Sequence, residues 1–312
     1  MLLRAGDLDI PTSPEALFGR TAPTALEIGF GNGSFLEDLA RRFPDWNVLG
    51  AETSRSSVGR AVRRLCRSGL PNVRIYPGDV RFLVRQVLPE NSLDCVYVNF
   101  PDPWPRRRHR EHRLLGSSFL SVLGSRLRMK SEIRLTTDHF EYFEFARAQA
   151  LITGLYSEAV SGPPAETLLT RYALKWQKEA RHISYVTFRK QAEGDSYPPT
   201  ILRCTMQHAL MTGDLDGVRD FAKVHRAFDG TDVVLLDMYR SEQERRLVFP
   251  AIVEDEYLRQ EVLIEARPHP DGVLVGVGKF GRPLSTPGLR CAVLATAEFL
   301  ESRGFRIIKT WY

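Results

Sequence analysis

Short apolar runs alternate with stretches of helical spacing from Thr24 onward, and this alternation limits the fold more than any other feature of the chain. Residues 25–28, 48–51, 73–76 and 93–98 read as strands. Between them, Phe35, Leu36, Leu39 and Ala40 recur at helical spacing, as do residues 58–65 and the set Phe82, Leu83, Gln86 and Val87. The same style continues through 119–127, 133–136, 142–152 and 183–188. Strand, helix, strand in regular succession predicts an α/β domain built on a doubly wound, mainly parallel sheet, the Rossmann-like class. Ligands of such sheets sit at the carboxyl ends of the strands, so the residues at those ends are the ones to read for chemistry.

Each of the first four strand ends carries an acid or leads directly to one. The first gives Glu27-Ile28-Gly29-Phe30-Gly31-Asn32-Gly33. Its glycines let the backbone approach a ligand closely and open the next helix towards it. The spacing Gly29, Gly31, Gly33 departs from the Gly-x-Gly-x-x-Gly of dinucleotide binders at its last position. Glu27, two residues before the first glycine, suits the ammonium of an amino-acid tail better than a pyrophosphate. Glu52 ends the second strand, where an acid accepts both hydroxyls of a ribose, and Asp79 follows the third, where it is suited to an adenine amino group. A single acid of this kind is usually a solvated loop residue. Three on consecutive strand ends favour a pocket for an adenosyl amino acid.

The fourth strand end opens the stretch 99–113, Asn-Phe-Pro-Asp-Pro-Trp-Pro followed by Arg-Arg-Arg-His-Arg-Glu-His-Arg. Pro101, Pro103 and Pro105 fix their own φ and bias the preceding residues towards extended geometry, so Asp102 is expected to be held rigidly. The competing reading is a surface turn capped by a carboxylate, with Trp104 plugging a core. Arg106, Arg107, Arg108, Arg110 and Arg113 supply charge for a polyanion, while His109 and His112 read as part of the same basic surface rather than as metal ligands. No metal is called for.

The net charge of +5 divides unevenly, with +8 in residues 1–190 and −3 in residues 191–312. A basic face of this kind supplies the salt-sensitive part of nucleic-acid affinity, although many charge runs are simply solvated. The four cysteines are scattered without metal-ligand spacing, and residues 1–20 lack the pattern of a secretory signal, so a soluble cytoplasmic protein with reduced thiols is expected. The chain is expected to divide into residues 1–190, a Gly- and Pro-containing linker at 191–199, and a smaller α+β domain at 200–312 with strand-like runs at 233–236, 247–253, 261–266 and 273–277.

Residues 27–33, Glu52, Asp79 and above all Phe-Pro-Asp-Pro-Trp-Pro-Arg-Arg-Arg-His at 100–109 resemble the bacterial tRNA (guanine-N7)-methyltransferases, a class I S-adenosylmethionine-dependent family. The likeness runs from about Thr24 to Arg189 and includes Thr136-Thr137-Asp138 and Thr170-Arg171-Tyr172. It implies methyl transfer from S-adenosylmethionine to N7 of guanine 46 in the tRNA variable loop. It also implies that Glu27, Gly29, Gly31, Gly33, Glu52, Asp79 and Asp102 line the cofactor pocket, with Asp102 the catalytic acid. Arg106, Asp138, Thr170, Arg171 and Tyr172 match substrate-binding positions, and Arg107, Arg108, Arg110 and Arg113 fall to the RNA backbone. Two positions depart from the family: Arg106 replaces a frequent lysine, and Ala173 stands where a glutamate is usual, with Glu179 nearby.

Three alternatives stay open on the sequence. Asp102-Pro103-Trp104 distantly matches the Asn/Asp-Pro-Pro-aromatic turn of amino-group methyltransferases but lacks the second consecutive proline. A nicotinamide dehydrogenase fits the glycine spacing poorly. Ala173 motivates a non-catalytic tRNA-binding protein with a vestigial pocket. No protein partner is called for.

Overall fold

A computed structural model describes residues 1–164, 182–200, 207–241, 243–255 and 257–311. They fall into two compact units, Leu8–Pro199 with Met1–Arg4, and Thr200–Tyr312 with Ala5–Asp7.

The first unit is organised around a seven-stranded sheet. Its strands are β1 (Thr24–Ile28), β2 (Asn47–Ala51), β3 (Val73–Tyr76), β4 (Leu93–Asn99), β5 (Leu127–Thr137), β6 (Tyr156–Ser161) and β7 (Ser184–Lys190), in the order β3-β2-β1-β4-β5-β7-β6. All pairings from β3 to β5 are parallel, and β7 enters antiparallel between β5 and β6. Every residue of β1 and β2 is buried, which is what a parallel strand covered on both faces requires. The expected doubly wound sheet is therefore present, and the strand order reverses between β1 and β4. At such a reversal the loops diverge and leave a crevice.

Helices of this unit begin and end where their sequences provide caps. Helix α1 (Pro14–Phe18) is short and starts with Ser13 accepting from the Ala16 amide. Helix α2 (Ser34–Arg42) follows the glycine turn and buries Phe35, Leu36, Leu39 and Ala40. Helix α3 (Arg55–Ser68) starts with Ser54 accepting from the Ser57 amide and stops at Gly69, whose φ of 62° is left-handed. Helix α4 (Val80–Phe82) is capped by Asp79 and runs into a π turn at Leu83–Val87. Helices α5 (Ser117–Arg126) and α6 (Phe140–Thr153) complete the set described. Leu36, Leu39, Val48, Ile75 and Tyr97 belong to one apolar core between α2, α3 and the sheet.

Residues 191–199, expected to be a linker, are held against this unit by directed bonds. The fully buried Lys190 binds Glu193 at 2.6 Å and the Leu127 carbonyl at 2.9 Å. Arg126, also fully buried, donates to the carbonyls of Val84, Arg85 and Tyr197, and Glu90 accepts from Ser196 and the Tyr197 amide. Glu193, Ser196 and Tyr197 of this segment supply the anchoring groups.

The second unit is an antiparallel sheet with one described helix. Its strands are β8 (His208–Thr212), β9 (Val224–Phe228), β10 (Thr231–Leu235), β11 (Tyr239–Ser241), β12 (Arg246–Asp255), β13 (Leu258–His269), β14 (Gly272–Val277) and β15 (Arg306–Trp311). The order is β15-β8-β14-β13-β12-β10-β9, with β11 on β12. Along β12, Leu247, Phe249, Ala251 and Val253 alternate into the core, where helix α7 (Pro287–Glu301) covers them. Phe221, Phe249 and Phe299 pack against one another there in tilted and edge-on pairs, with ring centres 5.3 to 6.2 Å apart. This is the α+β architecture expected. No helix among the described residues is long and apolar enough to cross a membrane.

Candidate active site

The loops after β1, β2, β3 and β4 enclose one cleft of about 530 Å³ lined by Glu27, Gly29, Gly31, Glu52, Asp79, Asn99 and Asp102 among others. Four successive strand ends thus converge, and Glu27, Gly29, Gly31, Glu52, Asp79 and Asp102, six of the seven residues expected to hold the cofactor, line the same cleft.

Glu27 lies at the floor, 2% exposed, with one carboxylate oxygen lacking a hydrogen-bond partner. Burial pushes its pKa up to about 8, the neighbouring Asn99 amide partly offsets this, and the charge of Glu52 adds to it. Asn99 ends β4, and its side-chain oxygen also lacks a partner. Buried polar atoms without partners are costly, so this floor is built to receive hydrogen-bond donors and acceptors from a ligand. Asn99 was not singled out from the sequence. Its signal is simply that it occupies the last position of a strand whose end forms the site.

The glycine turn rises from this floor. Gly29 and Gly31 have φ of 73° and 55°, and a Cβ on either would project into open space. Left-handed backbone rather than lack of room requires glycine here. Gly33 differs: φ is 75°, and a Cβ would lie 2.8 Å from that of Ala61. It packs the turn closely on α3, while its neighbours Asn32 and Ser34 line the cleft.

Glu52 ties two walls together. One carboxylate oxygen accepts from the Gly31 amide at 2.9 Å and the other from the Ser54 amide at 2.8 Å. Each oxygen keeps a second acceptor site, the arrangement that a vicinal diol needs. Asp79 accepts from the Arg81 amide at 2.8 Å, and the Arg81 guanidinium closes on both of its oxygens at 2.5 to 3.1 Å. Arg81 therefore joins the cleft beside Asp79, a partner that strand-end reading missed although it lies only two residues on.

Asp102 stands exposed at the mouth, and no described residue hydrogen-bonds its carboxylate. Its turn is strained at both sides, with Phe100 at φ 51° and Trp104 at φ 41°. Trp104 is 37% exposed and lies against His112 and His109 at ring separations of 5.1 and 5.8 Å, so it is not a core plug. His112 and Trp104 both line the cleft.

Arg113 corrects an expectation. The family resemblance gives it to the RNA backbone, yet its side chain is 2% exposed. It donates to the Pro103 carbonyl at 2.9 Å and lies over the rings of Phe145 and Tyr142 at 5.0 and 5.9 Å. Arg113 is thus an internal brace of the Pro-rich turn, beyond the reach of a solvent-borne strand. Arg110 pairs with Glu141 on the surface, whereas Arg106 and Arg108 are exposed without a carboxylate partner among the described residues. The Arg107 side chain and Thr170, Arg171, Tyr172, Ala173 and Glu179 lie outside the described residues. Asp138 follows β5 at the same sheet edge but is not part of the cleft lining.

A family model described as "Putative methyltransferase" matches residues 21–185. A tRNA (guanine-N(7)-)-methyltransferase of Thermus thermophilus is 42% identical over 96% of this chain and 96% of that protein. The chain belongs to that family. One from Deinococcus radiodurans is 40% identical over 97% of this chain and 98% of its own length. A member of the family from Paracoccus denitrificans is 33% identical over 58% of this chain and 78% of that protein, so the similarity to the first two extends over more of the chain.

Proposed function

We propose that this chain transfers a methyl group from S-adenosylmethionine to N7 of guanine 46 in the variable loop of tRNA. The observation carrying the reading is that Asp102 stands at the mouth of the same cleft that Glu27, Glu52 and Asp79 line. Membership of a family whose named relatives act on tRNA guanine N7 supports it.

The residues present suit the cofactor. The unpartnered oxygen of Glu27 and the Asn99 amide match an amino-acid head, the spare acceptor sites of Glu52 match ribose hydroxyls, and Asp79 with Arg81 flanks the adenine end. Bound there, the cofactor supplies an electrophilic methyl on a positively charged sulfur. Guanine N7 already carries an in-plane lone pair, so no proton has to leave before the bond forms.

The protein's task is consequently alignment, which contributes about 7 to 11 kcal/mol in well-oriented reactions. Asp102 accepts hydrogen bonds from the guanine edge and offsets the positive charge that develops on the ring. Trp104 is 37% exposed and lines the cleft, and stacking of a base on such a ring contributes roughly 1 to 3 kcal/mol. Arg106 and Arg108, exposed and without carboxylate partners among the described residues, hold the phosphates nearby.

The deciding experiment is transfer of radiolabelled methyl to unmodified tRNA, followed by nucleoside analysis and by substitution of guanine 46. N7-methylguanosine that vanishes with the substitution is the expected result. Label on an exocyclic amine would favour the amino-group reading, and cofactor binding without transfer would favour a vestigial site.

A further inference from the structure

Helix α3 carries five arginines, Arg55, Arg60, Arg63, Arg64 and Arg67, and no acidic residue. Its buried face consists of Ser57, Val58, Ala61 and Leu65. Arg60, Arg63 and Arg67, at i, i+3 and i+7, share the opposite, exposed face.

These three cations differ from most arginines around them. On the neighbouring α2, Arg41 and Arg42 pair with Glu37 and Asp38 one turn back, and Arg64 of α3 itself reaches Glu37 at 2.9 Å. Arg60, Arg63 and Arg67 have no carboxylate partner among the described residues, and Arg60 makes only a bond to the Ser57 hydroxyl at 2.9 Å. An ordinary solvated helix face mixes both signs, as α2 does. This one is uniformly positive.

Position gives the stripe a direction. Arg60 lines the cleft that holds Asp102, and Arg63 and Arg67 continue away from the rim for about 10 Å along the helix. Neighbouring side chains at this spacing stand about 5 to 6 Å apart, a separation that successive phosphates of an extended RNA strand can match. The Asp102 loop, with Arg106 and Arg108, approaches the cleft from the β4 end, whereas α3 follows β2, so the two basic segments flank the cleft from different strands.

We infer that the exposed stripe Arg60, Arg63 and Arg67 of α3 is a second docking track for the tRNA sugar-phosphate backbone, leading the strand beside the target guanine away from the cleft. The inference rests on tRNA being the substrate. It concerns a surface that neither the family motif nor the Arg-rich loop includes. The track reads charge and not sequence, so it contributes affinity and registers the RNA without selecting bases.

The test uses the full chain with Arg63→Gln and Arg67→Gln combined, leaving the cleft-lining Arg60 in place. The dependence of tRNA affinity on salt concentration and the steady-state constants are measured for both proteins. Two lost phosphate contacts are expected to lower the log-log salt slope by about 1.5, to weaken binding of full-length tRNA several-fold, and to raise KM while kcat at saturating tRNA is retained. An Arg63→Lys, Arg67→Lys variant should restore the slope, since it keeps the charge.

An unchanged slope and KM in the Gln variant, with the wild-type chain binding and methylating tRNA normally, would overturn the track while leaving the proposed function standing. So would loss of binding to vesicles containing phosphatidylserine with tRNA binding unaltered, which would make the stripe a membrane contact. A wild-type chain that neither binds nor methylates tRNA would overturn both readings together.

Discussion

Burial of Glu27 beneath the glycine turn holds its pKa at about 8, against 4.5 for the free side chain. Between those values the folded state keeps a proton that the unfolded chain has released, so stability falls as pH rises through this window and is undiminished below it. Glu27→Gln removes the titration. Thermal unfolding should therefore show the variant more stable than wild type at about pH 8.5 and no more stable at about pH 5; an equal gain at both would contradict the assignment. Cofactor affinity, measured calorimetrically, should fall at least tenfold in the same variant. In the wild-type protein it should rise with pH towards about 8, because an ammonium needs the ionised carboxylate. At the mouth, Asp102→Ala should cut methyl transfer by roughly a hundredfold or more, the scale of losing one preorganised electrostatic contact, while tRNA binding stays close to wild type. Undiminished turnover would remove Asp102 from the mechanism. Both acids were legible as strand-end residues. The burial that sets Glu27 apart, and the Arg81 grip on Asp79, were not. These depend on which neighbours the fold brings into contact, and spacing along the chain does not specify them.

The elements that position the site draw on residues far from it. Arg126 at the end of α5 donates to the carbonyls of Val84 and Arg85 within the π turn and to that of Tyr197 beyond β7. Burial lowers its pKa, but the carbonyls and Glu90, 3.7 Å away, keep the charge in place. Arg126→Met takes the Arg126 donor from the Val84 and Arg85 carbonyls, while that of Tyr197 keeps Arg85 at 3.1 Å, and at about 1 to 3 kcal/mol for each buried unsatisfied group the variant should lose about 2 kcal/mol or more in urea unfolding. Proteolysis near residues 191–199 should accelerate in parallel; unchanged stability would show that water replaces the guanidinium. Periodicity found the strands β1 to β4 and the helices that follow them because the parallel strands here are predominantly apolar runs. It missed β6, whose residues are almost all exposed, and β9, which reads Val-His-Arg-Ala-Phe. Edge strands pair through backbone atoms, and such pairing leaves little trace in side-chain type.

On the scale of the whole molecule, each unit has its own apolar core. Phe249 is fully buried and contacts two further phenylalanines, so Phe249→Ala should destabilise the second unit by about 3 to 5 kcal/mol. Calorimetry should then show a lowered transition for that unit alone, with cofactor binding by the first unit retained; a single transition shifted as a whole would mean that the two cores unfold together. The sequence by itself determined the doubly wound class, the family motif and the strand ends that carry acids. Those properties follow from local periodicity and from chemistry tied to particular residue types. Only the tertiary structure decided which charges are spent and which are available. Arg113 lies five residues beyond Arg108 in the same basic run, yet it is an internal brace while Arg108 meets solvent. Arg63 and Arg67 look no different from Arg64 in sequence, yet Glu37 neutralises Arg64 alone among these three. A charge is defined by its three-dimensional neighbours, and a linear sequence names the residue without naming those neighbours.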